Sequence, residues 1–273
     1  NDPYIVQLGR FMYDMFIKFD LGNSYITGNS VWEEIVTRFP RTLVFAVGSM
    51  ILQVVIGTPL GITAATHQNG FADRFCMLVA LVGISLPNFW IALQLVLLFS
   101  LTLKWLPAYG LDAGLASWVL PLFTNSLAGI AMQARQTRSQ MLENIRADYV
   151  TTARASGLSE RSILYKYALP NSLIPVLQTM GDTFGRSLGG TVVIENVFSI
   201  PGIGTYLTGG ISSRDYPVIR GSVVMLAIAF SLIMLIVDLG FAFIDPRIKA
   251  QYERQNKELK LPKWLQGRRK ADA

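Results

Sequence analysis

Residues Asp148 to Pro170, DYVTTARASGLSERSILYKYALP, form a polar stretch set between long apolar runs. Asp148 is a helix-capping residue type, and Gly157 ends a short first helix by taking the left-handed conformation that other residues resist. Ser159 stands where a second helix would need its own cap, and Leu158 and Ile163 flank that start at the staple positions. Pro170 closes the soluble piece and introduces the next apolar run. The spacing predicts two short helices meeting at a stiff Gly-centred corner. A stiff corner transmits a push.

The rest of the chain is apolar: 51% of residues are hydrophobic and 15% charged, against roughly 25% charged in an ordinary soluble domain. The apolar residues gather in runs of about 20, the length that crosses a bilayer as a helix. The fold class is therefore all-α, a polytopic membrane helical bundle. One cysteine, Cys76, excludes an internal disulfide framework, and one histidine, His67, excludes paired-histidine metal sites. No metal ligands are assigned.

Three regions follow: an external segment 1–40, a transmembrane domain 41–250 that contains the polar loop 135–170, and a basic tail 251–273. In the first, Phe11, Met12, Met15 and Phe16 recur at helical spacing, which fits a short helix on the membrane surface or against the bundle. Five spans are expected near residues 42–65, 75–103, 118–134, 172–197 and 222–244. The second is interrupted at Ser85-Leu86-Pro87-Asn88, and the third is weakly apolar with a polar face. Between the last two, 199–220 is rich in Gly and Pro and suits a segment folded back at the membrane rim.

Sixteen of the 24 Lys and Arg residues lie on the side of Lys166, seven on the other side and Arg186 within a span. Basic residues stay cytoplasmic during insertion, so the 135–170 loop and the C-terminal tail face the cytosol. The net charge of +6 thus reflects orientation rather than nucleic-acid binding. Five spans then put residue 1 outside, and a sixth, N-terminal span is expected in the natural protein.

The spacing Ala153-x3-Gly157 followed by Ala168-Leu169-Pro170 resembles the EAA loop of permease subunits in binding-protein-dependent ABC importers. RTLVFAV, GTPLGI, SLPNFW, YALPNSLIPV, GTVVIENVFSIPGIG, SRDYPVIRG and DLGFAFIDPRIK look like the peptide and nickel branch, so the resemblance runs from about Asp20 to Lys249. The chain departs from the motif at Thr151 and Thr152, where Glu-Ala is usual, and at Tyr167, where Ile is common.

The resemblance implies a permease subunit importing di- or oligopeptides, or alternatively nickel or a nickel chelate. It implies a second permease subunit, two cytosolic ATPase subunits and an extracytoplasmic binding protein as partners, in a bacterial or archaeal inner membrane. No G-x-x-x-x-G-K-[ST] is present, so ATP and Mg belong to the ATPases and none is bound by this chain, which is not itself an enzyme. On this reading Thr151, Thr152, Ala153, Arg154, Gly157, Leu158, Ser159 and Arg161 form the ATPase contact. Small Ala153, Ala155 and Gly157 would allow close approach, and Arg154 and Arg161 would pair with acids on the ATPase.

Asp182 and Arg186 lie one turn apart within a span and are either a structural ion pair or, with Asn125 and Gln133, part of the translocation path. Arg214 and Asp215 are candidates for the binding-protein contact, a solvated turn being the alternative. Glu195 and Asp238 need only an interfacial explanation. An ion-coupled secondary transporter stands as the rival class; it would relay its ion through Asp182.

Overall fold

The computed structural model describes residues 3–18 and 20–244. Helix α1 is Tyr4–Ile17. Helix α2 is Val31–Leu52, started by Ser30, whose hydroxyl accepts the Glu33 N–H, with Glu33 and Glu34 favourably placed in its first turn. A π-helical segment, Gln53–Gly57, joins α2 without a break to α3, Thr58–Thr66. The 40/41 boundary expected from hydropathy thus falls inside a continuous helix, Val31–Thr66. The reason is local: the Ser30 cap, with Glu33 and Glu34 in the first turn, starts the helix well before the sequence becomes uniformly apolar, and Pro40 is carried within it.

Helix α4, Phe71–Ser85, and helix α5, Asn88–Leu95, meet at Leu86-Pro87 with a 104° bend, and α5 continues as the π-helical Val96–Thr102. The expected break at Pro87 is present. Proline offers no N–H to continue the ladder and forces the preceding residue into extended backbone, and Leu86 has ψ 138°.

Helix α6, Ala116–Ile145, runs through the middle of the bundle and packs against α2, α3, α4 and α5. It extends eleven residues into what hydropathy assigns to the cytosolic loop. Helices α7 and α8, Asp148–Ala155 and Glu160–Ser162, make the elbow. A π-helical Ile163–Ala168 then leads into α9, Leu169–Val197, which packs on α6. Pro170 therefore does not end a helix as the sequence suggests. It sits just past a π-helical turn, whose altered hydrogen bonding accommodates the missing N–H. The 199–220 stretch contains a helix, α10, Ile203–Ser213, and α11 follows at Tyr216–Ile244.

By length and composition, Val31–Thr66 and Tyr216–Val237 are long and apolar enough to cross a membrane, and the bent α4–α5 pair makes a third candidate span. Helices α6 and α9, at 30 and 29 residues, have the length but not the apolarity. Among the described residues the only extended pairing is an isolated bridge, Asn23 to Ser30.

A seam of small residues lets α2–α3 approach α6. A Cβ on Gly57 would lie 2.8 Å from the Ile130 carbonyl oxygen, and one on Gly61 would lie 2.5 Å from that of Ala134. Such close backbone approach is how helices associate where lipid offers no hydrophobic drive.

Candidate functional site: a polar elbow and the struts that hold it

Helix α7 begins after Ala147, which has no side-chain cap, so the expected capping by Asp148 is corrected. Asp148 is the first helical residue and acts through its charge on the helix N-terminus. The end of α7 is as the sequence predicts. Gly157 has φ +79°, its N–H donates to the Arg154 carbonyl and the Leu158 N–H donates to that of Ala153, the paired bonds of a Schellman stop. Ser159 then accepts the Ser162 N–H at 3.4 Å, capping the next helix.

Val150, Ala153 and Ile163 are buried together inside the corner. Ala153 is thus part of the elbow's own core. Outside, Arg154 donates to both oxygens of Glu160, from Nε to Oε1 at 2.5 Å and from Nη2 to Oε2 at 3.1 Å. Arg154 therefore has an acid of its own chain as partner. That pairing holds the Glu160 carboxyl below the usual carboxylate range, first through its hydrogen bond and also through the charge. Thr151, Thr152, Leu158, Ser159 and Arg161 remain exposed with Arg154 and Gly157, and a 430 Å³ recess edged by Ser159, Arg161, Ser162, Tyr165 and Lys166 opens beside them.

The elbow is tied to two long helices. Tyr149 donates its hydroxyl to Asn144 Oδ1 of α6 at 2.9 Å and accepts from Asn171 Nδ2 of α9 at 3.3 Å. Ser172 adds a bond from its hydroxyl to the Gln140 carbonyl. Tyr149 thus bridges the elbow to α6 and α9 at once.

Two of the residues expected in a path make bonds between helices of this chain. Asn125 is buried and donates to Ser49 Oγ at 3.0 Å, and Gln133 donates to Thr58 Oγ1 at 3.3 Å. Both join α6 to the α2–α3 helix within this chain, where the small-residue seam brings those helices close. Asp182 and Arg186 lie on α9, but their side chains fall outside the described residues, as does that of Asp238.

At the other end of the bundle, Asp215 is buried. It accepts from the Ser24 hydroxyl and, at 3.2 Å, from the Tyr25 N–H, clamping the 20–30 segment to the start of α11. Burial pushes its carboxyl up, but bonds from Ser24 and the backbone of Tyr25, Ile26 and Val218 outweigh this and hold it below the usual range. Asp215 is thus committed internally and unavailable to a partner, whereas Arg214 next to it is exposed, with φ +55°.

The family profile described as "Binding-protein-dependent transport system inner membrane component" matches residues 57–250. The chain belongs to this transport family. The dipeptide transport system permease protein DppB of Alkalihalophilus pseudofirmus is 40% identical, over 91% of this chain and 83% of that protein. The glutathione transport system permease protein GsiC of Salmonella paratyphi A is also 40% identical, over 91% and 81%. Among solved structures, the MetNI methionine ABC transporter in an inward-facing conformation matches with TM-score 0.65 at 20% identity, over 78% of this chain and 97% of that one. It shares the fold.

In this permease fold, one buried acid escapes sequence reading. Glu195, at the end of α9, is fully buried and accepts from Thr42 Oγ1 at 2.8 Å, Gly204 N at 2.7 Å and Thr205 N at 3.3 Å. Thr42 in turn accepts the Ile203 N–H. Together they satisfy the donors at the start of α10, so the interfacial explanation of Glu195 is replaced by a structural one. The usable signal is the glycine pair Gly202-Ile203-Gly204, where any Cβ would collide with Glu195.

Proposed function

We infer that this chain is the permease subunit of an ATP-driven importer of di- or oligopeptides, with the elbow as the part that receives work from separate ATPase subunits. The observation that carries the reading is the elbow itself: a corner with its own core, a Schellman stop and an external ion pair, strapped through Tyr149 to both α6 and α9. Such a body moves as a unit, so closure of an ATPase pair against it changes how the long helices pack. A nucleotide biases that equilibrium only by binding the two arrangements differently.

Thr151, Thr152, Arg154, Gly157, Leu158, Ser159 and Arg161 form the contact surface. Arg161 and Lys166, beside the recess, suit acidic groups on the partner. A second permease subunit, two ATPases carrying ATP and Mg, and an extracytoplasmic binding protein complete the assembly in the inner membrane, with the C-terminus in the cytosol. Arg214 is the remaining candidate for touching the binding protein. The relatives named for dipeptide and glutathione transport support peptide cargo over nickel.

The test is uptake of a labelled dipeptide by proteoliposomes holding this chain, its partner permease, the ATPases and the binding protein. ATP-dependent accumulation supports the reading. Accumulation that follows an ion gradient without the ATPases supports the secondary-transport alternative and refutes it.

A further inference from the structure

Helix α4 makes no described hydrogen bond or ion pair to the elbow, yet it is anchored firmly at its cytosolic end. Asp73, in its first turn, is 3% exposed. Its Oδ1 accepts from Arg138 Nε at 2.5 Å, and its Oδ2 accepts from Arg138 Nη2 at 2.7 Å and from the Asn69 N–H at 2.9 Å. Arg138 belongs to α6. Eight residues on, at the C-cap of α6, Arg146 donates to Gln68 Oε1 at 3.1 Å, about 12 Å away at 1.5 Å per residue. The turn between α3 and α4 is thus pinned to α6 at two points.

The same end of α6 carries Asn144, which accepts from Tyr149 of the elbow. We propose that the Asp73–Arg138 pair is a positioning pair that hands the elbow's movement on from α6 to α4, and through α4 to the 104° bend at Pro87. This rests on the coupling role of the elbow stated above. A fork-shaped, two-bond contact fixes orientation as well as distance, which suits it to transmit a tilt. It is also nearly water-free on the Asp73 side, so it does not exchange readily for solvent. A stabilising pair alone would serve equally well anywhere along α4 and α6. This one adds a fixed orientation to the direct packing of α6 on α4, at the end of α6 that leads into the elbow.

Removing one partner would strand a buried charge and endanger folding. The test therefore uses the neutral pair Asp73→Asn with Arg138→Gln, in the complete complex, and reads ATP hydrolysed per dipeptide imported alongside abundance and the unfolding midpoint. The proposal expects normal basal ATPase activity and a rise in that ratio of about fivefold or more. A correctly assembled neutral pair with the wild-type ratio overturns it. Should the neutral pair fail to accumulate, Arg138→Lys, which keeps the charge but loses the two-bond fork, is measured instead. A raised ratio supports the proposal and a wild-type ratio overturns it. Absence of ATPase from the wild-type complex would instead sink the elbow reading, which separates the two failures.

Discussion

Glu195 and Thr42 lie 153 positions apart in sequence and share a 2.8 Å hydrogen bond, and between them they cap α10. That bond lies at the end of the bundle away from the elbow. Glu195→Ala leaves the Gly204 and Thr205 donors without partners inside protein, at about 1–3 kcal/mol for each stranded group. Folded protein recovered from membranes should fall severely, while Glu195→Gln, which keeps one acceptor oxygen, should recover part of it. Equal recovery of Ala and wild-type protein would remove the capping role.

Gly157 is a matter of backbone, not space. Its φ is +79° and a Cβ there meets nothing within 4 Å. A β-branched Gly157→Val should therefore strain the corner by about 1–2 kcal/mol, while Gly157→Asn, a residue type that tolerates this conformation, should be milder. Uptake with normal membrane insertion is the measurement. Gly157→Pro, whose ring fixes φ at a negative value, should abolish transport outright, and Gly157→Trp should do so by blocking the docking face.

Asp215 gives a pH dependence of defined sign. Its carboxyl is held below the ordinary Asp value of 3.8, so the folded state binds its proton less readily than the unfolded state. The clamp then contributes fully above 3.8 and is lost as pH falls through the lowered value. Thermal unfolding of purified protein should lose stability in that acid range, and Asp215→Asn should remove part of the loss. An unchanged acid profile in Asp215→Asn would show that the clamp is not linked to protonation.

Asn125 and Gln133 join helices within one chain. Asn125→Ala and Gln133→Ala should lower abundance and leave the preference among dipeptides unchanged, measured by competition for uptake. A changed preference at normal abundance would return these residues to the path.

The elbow was legible because its signals are local. Gly157, Ser159 and the polar stretch around them specify a corner by backbone conformation and capping, with no need of distant partners. Pro87 declared its bend for the same reason. The misreadings share the opposite cause. Asp215 and Glu195 read as a partner contact and an interfacial acid, since only the folded chain brings Ser24 and Thr42 to them. The Asp73–Arg138 pair, 65 positions apart, has no short-range signature. Helix ends were misplaced where capping or a π-helical turn, at Ser30 and before Pro170, outweighed hydropathy.

The docking of the elbow on an ATPase is tested most directly by proximity. With Cys76→Ser as background, Ser159→Cys supplies a single thiol on the exposed face of the corner, and a short thiol-reactive cross-linker is applied to the assembled complex in membranes. The account predicts a cross-linked product between this chain and the ATPase whose yield changes with ATP. No such product, with the thiol instead labelled by an impermeant reagent from outside the cell, would contradict it.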